Sequence, residues 1–213
     1  VEGNGQQQLE EMIMGLEKVK CGKIFFKQEE ITGMSVKERC KRGIGYIPSD
    51  RYKRAILPGF SLKDNYLLGN QYKDSYARKG MLNQEYIEKK TKELMEKFDV
   101  RAVNGDQLIG ALSGGNQQKL VLSREVDKDP DLILACQPVR GLDIGAIKFI
   151  HNVLLELRNQ GKAVLLISAE LSDLFQLSDR IGVLYKGEMM SLQETEKYTT
   201  ESISLLMAGK KGV

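Results

Sequence analysis

The 213 residues are enough for one ordinary domain with a hydrophobic core, or at most two small lobes. Hydrophobic residues make up 41% of the chain and no apolar run is long enough to cross a bilayer, so any tie to a membrane must go through a partner protein. The net charge of +3 does not favour nucleic acid as a partner. The three scattered cysteines, Cys21, Cys40 and Cys136, exclude a disulfide framework or a paired-cysteine metal site and fit a reducing cytoplasm.

The hydrophobic pattern predicts alternating helices and strands. The predicted elements, in chain order, are a helix over 7–19, a strand over 23–27, a helix over 35–42, a strand over Ile44–Ile47, a mainly helical segment over about 61–127, a strand over 132–135, a helix between Asp143 and Gly161, a strand over Ala163–Ile167, a helix over Leu171–Leu177 and a strand over 181–185. Strands that are apolar on both faces and alternate with helices indicate a parallel sheet covered by helices.

Several side-chain patterns add detail to these elements. Leu9, Ile13 and Leu16 share one face of the first helix and are predicted to be its buried side. Ser35 and Glu38 are spaced as a capping box. Two groups of basic residues are interpreted as solvated surface, with a phosphate- or partner-facing patch as the alternative. These residues are Lys37, Arg39, Lys41 and Arg42, and then Arg51, Lys53 and Arg54.

The sharpest motif is Leu-Ser-Gly-Gly-Asn-Gln-Gln-Lys at residues 112–119. Ser113 is a good N-cap, and Gly114 and Gly115 allow a ligand to approach the backbone closely. An amphipathic helix follows, with Leu120, Leu122 and Val126 as candidate buried residues. Free N–H groups and the positive end of the helix dipole therefore point at one place, which suits an anion. Taken alone, the same pattern also fits a tight turn with a cap.

The order of motifs after residues 112–119 resembles the ATP-binding-cassette (ABC) family. There an LSGGQ-type signature is followed by the Walker B strand, here Leu132–Cys136, and by the D-loop, here residues 141–143. The segments at 45–51 (Gly-Tyr-Ile-Pro-Ser-Asp-Arg) and 168–171 (Ser-Ala-Glu-Leu) are similar to the C-terminal cassette of the tandem ATPase subunits of simple-sugar and nucleoside importers, the ribose and galactose type.

The resemblance implies an α/β fold of the P-loop NTPase-like ABC type. It has a mainly parallel core sheet, a helical subdomain and a partial antiparallel β-subdomain around residues 23–31. Residues 1–213 would form a single cassette, with the helical subdomain at about 61–127 and the α/β core from 1–60 and 128–213. The strands that precede the Walker A loop in the family would fall before the first residue, which leaves a sheet with exposed apolar surface.

Family cassettes pair head to tail, so that ATP bound by the Walker A loop of one meets the signature of the other. The resemblance implies that this chain's signature faces the γ-phosphate of ATP on a partner cassette, and that ATP and Mg²⁺ are held mainly by that partner. The residues expected to face this nucleotide are Ser113, Gly114, Gly115, Asn116, Gln117 and, across the dimer interface, Asp143.

The opening residues 1–8 lie where the family has its Walker A loop. Gly3 and Gly5 keep the loop shape, but Gln6 replaces the phosphate-binding lysine and Gln7 replaces the Mg²⁺-binding Ser or Thr. A neutral amide removes the charge that stabilises polyphosphate. The alternative interpretation is a simple polar lead into a helix.

The other catalytic positions of the family are also substituted. Cys136 and Gln137 stand where Walker B ends in Asp-Glu, and Ala169 stands where the switch histidine falls. A thiol is a poor Mg²⁺ ligand and a glutamine cannot accept a proton from water. The only histidine, His151, lies inside the helix after Asp143 and is predicted to be structural or at the surface. These substitutions predict an inactive nucleotide site with no metal ligands.

The Q-loop glutamine of the family appears as Ser49, followed by the stretch that leads into the helical insertion. Leu57, Phe60 and Tyr66 are candidates for a groove that receives a permease helix, or else they pack the insertion onto the core.

Three functions remain open on the sequence. The first is an energy-coupling cassette of a sugar or nucleoside importer at the cytoplasmic face of the cell membrane, working with an N-terminal cassette, a permease and, indirectly, a solute-binding protein. The second is a structural or regulatory dimerisation module without nucleotide chemistry. The third, a tandem cassette protein acting on ribosomes or DNA, is disfavoured by the small net charge.

Overall fold

The computed structural model describes residues 3–210. The helices are α1 (Gln6–Met14), α2 (Val36–Lys41), α3 (Arg51–Arg54), α4 (Leu62–Leu67), α5 (Gln84–Lys97), α6 (Gly114–Val126), α7 (Ile144–Asn159), α8 (Leu171–Leu177) and α9 (Thr200–Met207), with short 3-10 turns at Ile109–Ala111 and Thr195–Lys197. The strands are β1 (Phe25–Phe26), β2 (Glu29–Glu30), β3 (Ile44–Ile47), β4 (Ala77–Arg78), β5 (Met81–Leu82), β6 (Leu132–Cys136), β7 (Ala163–Ile167), β8 (Arg180–Tyr185) and β9 (Glu188–Glu194).

The parallel core sheet is confirmed. Its strand order is β3-β6-β7, and β6 and β7 pair in parallel from Leu132 opposite Ala163 to Cys136 opposite Ile167. The antiparallel pairing expected around residues 23–31 is present as β1 with β2. The expected third core strand is different, because β8 pairs with β9 in an antiparallel hairpin instead of joining this sheet. Strand β9 and helix α9 are additional elements that the hydrophobic pattern did not predict.

The chain divides into two compact units, each described by itself. The first comprises Val1–Tyr46, Asp131–Gln137 and Leu154–Val213, and the second comprises Ile47–Pro130 and Pro138–Val153. The expected helical segment at 61–127 lies within the second unit, which is mainly helical but extends beyond both predicted boundaries and contains the β4–β5 hairpin. Within residues 3–210, no helix combines the length and the hydropathy that crossing a membrane requires.

Helix α1 is shorter than predicted. It ends at Met14 because Gly15 adopts a left-handed conformation (φ 75°), and a Cβ there would lie 2.8 Å from the carbonyl oxygen of Met34. Leu16 therefore falls outside the helix and is exposed, so its assignment to the buried face was wrong. The fully buried side chain of α1 is instead Met14.

The predicted caps are confirmed. Ser35 and Glu38 form a capping box at α2, in which each side chain accepts a hydrogen bond from the other residue's backbone. At α7, the Asp143 carboxylate accepts a hydrogen bond from the Ala146 N–H at 2.9 Å. Both helices therefore begin where the side-chain chemistry of the sequence places their starts.

Arg39 is not a solvated surface residue, which corrects the expectation for the basic residues at 37–42 at this position. Its side chain is almost fully buried, and its guanidinium donates to the backbone carbonyl oxygens of Met12 (2.6 Å), Ile13 (2.7 Å), Thr32 (2.8 Å) and Met34 (3.0 Å). Burial lowers the pKa of this guanidinium. One side chain thus joins the end of α1 to the segment before α2.

Replacing Arg39 with Met should lower the free energy of unfolding by roughly 2–4 kcal/mol, because buried carbonyl groups lose their donor. Urea unfolding followed by circular dichroism measures this difference. The matched control is Arg42→Met, which removes a surface ion pair with Glu29 and should cost about 0–1 kcal/mol. Equal losses in the two variants would contradict the role assigned to Arg39.

Candidate functional site

The start of α6, in the second unit, presents the signature residues. Ser113 is exposed and is the N-cap, and its Oγ accepts from the Asn116 N–H at 3.4 Å and from the Asn116 Nδ2 at 3.1 Å. The Asn116 Oδ1 accepts from the Arg101 N–H at 2.9 Å, which fixes the amide. The N–H groups of the first turn have no acceptor within a helix, so this end can receive an anion.

Two glycines bring neighbouring groups close to this helix start. A Cβ on Gly115 would lie 3.0 Å from the Ala146 Cβ and 3.2 Å from the Asp143 Oδ2, and a Cβ on Gly114 would lie 2.8 Å from an Arg51 guanidinium nitrogen. Hydrogen bonding from the Ala146 N–H lowers the pKa of the exposed Asp143 carboxyl. The structure therefore brings the Asp143 carboxylate close to Gly115 at the start of α6.

Gln117 does not occupy the position expected for it. Its side chain is 1% exposed, and its Nε2 donates inward to the carbonyl oxygens of Leu112 (3.1 Å) and Ile109 (3.3 Å). Its Oε1 accepts from the Arg51 Nε at 3.1 Å. The expectation that Gln117 faces the γ-phosphate is corrected, because its carboxamide is engaged inside the unit.

The loop before α1, in the first unit, has the glycine-rich shape that the sequence predicted. Gly3 and Gly5 have positive φ (88° and 108°), and a Cβ on Gly5 would lie 3.1 Å from the Gly187 Cα. The Gly187 N–H donates to the Asn4 carbonyl oxygen at 2.9 Å, which joins the loop to the β8–β9 turn. The Asn4 N–H donates to the Gln6 Oε1 at 2.9 Å. The first two residues of the predicted loop lie outside the described residues.

The side chains of residues 3–7 are uncharged. Residues 3–7 contain no basic side chain, and the Gln6 carboxamide accepts a backbone N–H of the loop itself. The Gln7 side chain donates to the Glu11 Oε1 at 3.0 Å on the exposed side of the helix. Over residues 3–210, the structure contains no group of three or more His, Cys, Asp or Glu side chains placed to hold a metal ion.

Cys136 lies at the end of β6 in an apolar cluster and is fully buried. Burial, and secondarily the neighbouring Glu10 carboxylate, raises the pKa of its thiol well above the ordinary value. Glu10 is also buried and accepts a hydrogen bond from the Tyr46 hydroxyl at 2.5 Å. Sequence reasoning missed Glu10 and Tyr46. The available signal was an acidic residue four positions before Met14, on the face of α1 that proved to be buried.

The structure brings the substituted Walker B and switch positions together. Gln137 has a positive φ of 48°, its N–H donates to the Ile167 carbonyl oxygen at 2.7 Å, and its Oε1 accepts from the Ala169 N–H at 3.3 Å. The Gln137 side chain thus bonds to the backbone of Ala169. His151 is buried within α7. Its position fits the structural alternative and not the surface alternative.

A cavity of about 580 Å³ lies along the edge of β7 in the first unit. It is lined by residues of β7 and β8 and by Gln6 and Leu9 of α1. Leu165, in the middle of β7, is 37% exposed. The sheet therefore exposes apolar surface, as the sequence led us to expect.

The three candidates for a permease groove separate into two classes. Phe60 and Leu57 are 52% and 42% exposed. Tyr66 is buried in α4, with its hydroxyl 3.1 Å from the Ser123 hydroxyl of α6. Tyr66 therefore packs the helices of the second unit, and only Phe60 and Leu57 remain available to a partner.

Comparisons of sequence place this chain among transport proteins. The family model described as ABC transporter matches residues 2–140. The chain is 42% identical over 209 residues to the guanosine import ATP-binding protein NupO of Bacillus subtilis (strain 168), and 38% identical to the nucleoside import ATP-binding protein NupA of Lactococcus lactis subsp. cremoris. It is 31% identical to the ribose import ATP-binding protein RbsA of Lactococcus lactis subsp. lactis. These matches cover 97–98% of this chain but only 41–42% of each relative.

Comparisons of structure agree on the fold. The dimeric post-hydrolysis structure of the ATP-binding cassette MJ0796 bound to ADP and Pi has a TM-score of 0.77, with 22% identity, over 93% of this chain and 84% of that one. A nucleotide-free ATP-binding cassette has a TM-score of 0.74, with 21% identity, over 98% and 81% of the two chains. At these identities the likeness establishes the cassette fold alone.

The cysteines should differ sharply in reactivity. Cys21 and Cys40 are exposed and should be alkylated by iodoacetamide in the native chain, whereas Cys136 should not, because a buried thiol with a raised pKa forms little thiolate. Mass spectrometry should find two modifications in native buffer and three in denaturant. Native labelling of Cys136 as fast as that of Cys21 would contradict the buried environment described for β6.

Proposed function

The chain belongs to the ABC transporter family, and on this premise we propose that it energises a nucleoside or sugar importer by supplying its signature to a composite ATP site. The observation that carries the proposal is the start of α6, where the N-cap Ser113 is exposed and Gly114 and Gly115 form the first turn at the positive end of the helix dipole. The substrate class is supported by the guanosine, nucleoside and ribose import roles named for the relatives.

The partner in this composite site is a second cassette, the N-terminal cassette of the same subunit or a separate copy. Two observations support it. More than half of the length of NupO lies outside the match, which leaves room for another cassette. The similar cassette MJ0796 is a dimer in its ADP- and Pi-bound structure. ATP and Mg²⁺ would be held mainly by this partner, with Asp143 beside the signature at the interface.

We propose that the chain's own nucleotide site is inactive. The loop lacks the cation that polyphosphate needs, and Gln6 engages one of the loop's N–H groups. The Cys136 thiol is buried and protonated, so it cannot replace an aspartate as a Mg²⁺ ligand. Gln137 can orient water but cannot accept its proton, and Ala169 has no side chain that could assist. The residues present do not fit Mg²⁺, and no catalytic step is assigned to them.

The proposed location is the cytoplasmic face of the cell membrane, bound to a permease, with a solute-binding protein acting through that permease. The exposed Phe60 and Leu57 are the surface we assign to the permease. Nucleic acid is not proposed as a partner, since the net charge is only +3.

Ser113→Arg should lower the ATP turnover of the assembled pair of cassettes roughly 100-fold or more, because a bulky side chain blocks the phosphate from the α6 amides. The chain alone should show no Mg²⁺-dependent turnover above background. Turnover is measured by phosphate release from the purified two-cassette protein.

The matched control is Ser35→Arg, the same change at the N-cap of α2, which should keep full turnover. Full turnover in Ser113→Arg would favour a dimerisation module without nucleotide chemistry. Robust turnover by the chain alone, abolished by replacing Gln137, would show that the chain's own site is active.

Phe60→Asp in the intact transporter should uncouple ATP turnover from uptake, because a charge on the exposed aromatic surface opposes an apolar contact with the permease. Uptake into vesicles and phosphate release are measured on the same preparation. Met81→Asp, at a still more exposed apolar side chain on β5, is the control and should leave uptake unchanged. Normal coupling in a folded Phe60→Asp transporter would remove this surface from the proposal.

A further inference from the structure

Arg51 is tied to the signature helix through a buried amide. It is the first residue of α3, and its Nε donates to the Gln117 Oε1 at 3.1 Å. Its guanidinium also lies against the first residue of α6, because a Cβ on Gly114 would meet one of its terminal nitrogens at 2.8 Å. The side chain therefore touches α6 at two points, one turn apart.

Gln117 passes this restraint to the turn that precedes the signature. Its Nε2 donates to the carbonyl oxygens of Ile109 and Leu112, directly before Ser113. Because Gln117 is buried and its oxygen and nitrogen both have partners, its amide has one favourable orientation. The direction in which Ser113 is presented thus depends on an amide that Arg51 holds in place.

The same turn is bonded to the segment that follows α3. The Ile109 N–H donates to the Phe60 carbonyl oxygen at 3.0 Å, and the Gly110 N–H donates to the Pro58 carbonyl oxygen at 3.1 Å. Pro58 also lies so close that a Cβ on Gly110 would meet its carbonyl oxygen at 2.8 Å. Together with the Arg51–Gln117 bond, these contacts fasten the segment from α3 to Phe60 and the signature turn to each other.

We propose that Arg51 is a positioning residue of the composite ATP site: through Gln117 it holds the signature turn in the orientation that catalysis requires, and it couples that turn to the exposed Phe60 surface. This inference rests on the proposed function. The arrangement depends on the planar guanidinium, whose Nε reaches Gln117 while its terminal nitrogens lie at Gly114. A lysine has a methylene at the position of Nε and cannot make the same bond.

Loss of the Arg51 contact should affect kcat and KM for ATP differently. ATP would be bound mainly by the partner cassette, so loosening the signature turn should leave KM for ATP nearly unchanged. A group that must be aligned in the transition state affects kcat instead. A residue that merely supplied positive charge for nucleotide binding would change KM and would be replaceable by lysine.

The test measures kcat and KM for ATP in the intact transporter carrying Arg51→Met, Arg51→Lys or Gln117→Leu. Both Arg51 variants should lower kcat roughly ten- to a hundred-fold, since small misplacements have effects of this size, and should leave KM within about two-fold. Arg51→Met combined with Gln117→Leu should lose no more than the worse single variant, because Arg51 acts on the signature turn through Gln117. Lys53→Met, an exposed change in the same helix, should match the wild type.

Three outcomes would overturn the inference: wild-type kcat in Arg51→Met, full rescue by Arg51→Lys, or independent effects of the two residues in the double variant. If Gln117→Leu does not fold, the partly exposed Arg51 variants still decide the matter. Ser113→Arg in the same assay distinguishes failure of the Arg51 inference from failure of the proposed function. Lost turnover in Ser113→Arg with normal Arg51→Met overturns this inference alone, and normal turnover in Ser113→Arg overturns the proposed function and this inference together.

Discussion

The contacts around the start of α6 in the second unit depend on one constraint, the backbone N–H groups of its first turn. The first turn of any helix leaves N–H groups without a partner, and a ligand can use them only if the backbone is accessible and held still. Access is offered at the exposed Ser113 and the partly exposed Gly114, whereas Gly115 packs against Ala146. Immobility comes from Asn116, which bonds to Ser113 and to the Arg101 backbone, and from Gln117, which is bonded on its inner side. Since Arg51 and the Phe60 backbone contact the same turn, the geometry of the proposed ATP contact and of the exposed apolar surface are physically connected.

Helix α1 begins after Gly5 and α6 begins with Gly114, and the start of each carries the positive end of a helix dipole, yet the surroundings of the two starts differ. At α1 the preceding loop is bonded to the β8–β9 turn, because the Lys186 N–H donates to the Asn4 Oδ1. The Asn4 N–H in turn donates to the Gln6 Oε1. At α6 the cap is local, and Ser113 remains exposed. The dipole is common to the two ends and cannot distinguish them. The side chains distinguish them: residues 3–7 carry no basic group and the Asn4 N–H of this loop is already bonded to Gln6, and this is why we assign phosphate contact to α6 and not to α1.

The sequence predicted the features that depend on local chemistry. The caps at Ser35 and Asp143, the strand Ala163–Ile167 and the helix Leu171–Leu177 follow from side-chain hydrogen bonding and periodicity over a few residues. It failed where tertiary contacts override those signals. Arg39 looks like a surface charge until four carbonyl oxygens converge on it, and Gln117 looks like a ligand-facing amide until Arg51 is placed beside it. The pairing of β8 with β9 is local, through a two-residue turn at Lys186 and Gly187, and this turn signal was missed. The buried position of Glu10 depends on Tyr46 and Cys136, which are distant in the chain and which periodicity does not report.

The substitutions around β6 make physical sense as a set. Cys136 occupies an apolar cluster, and the buried Glu10 carboxylate lies beside its thiol, bonded to the Tyr46 hydroxyl. An aspartate at position 136 would place a second carboxylate next to Glu10 in a low-dielectric environment, where like charges destabilise each other unless a cation lies between them. A neutral thiol avoids that cost, and Glu10 in turn helps keep the thiol protonated. A single change to Asp at this position would therefore not recreate a magnesium site, because the new carboxyl group would lie in an apolar cluster beside the buried Glu10 side chain.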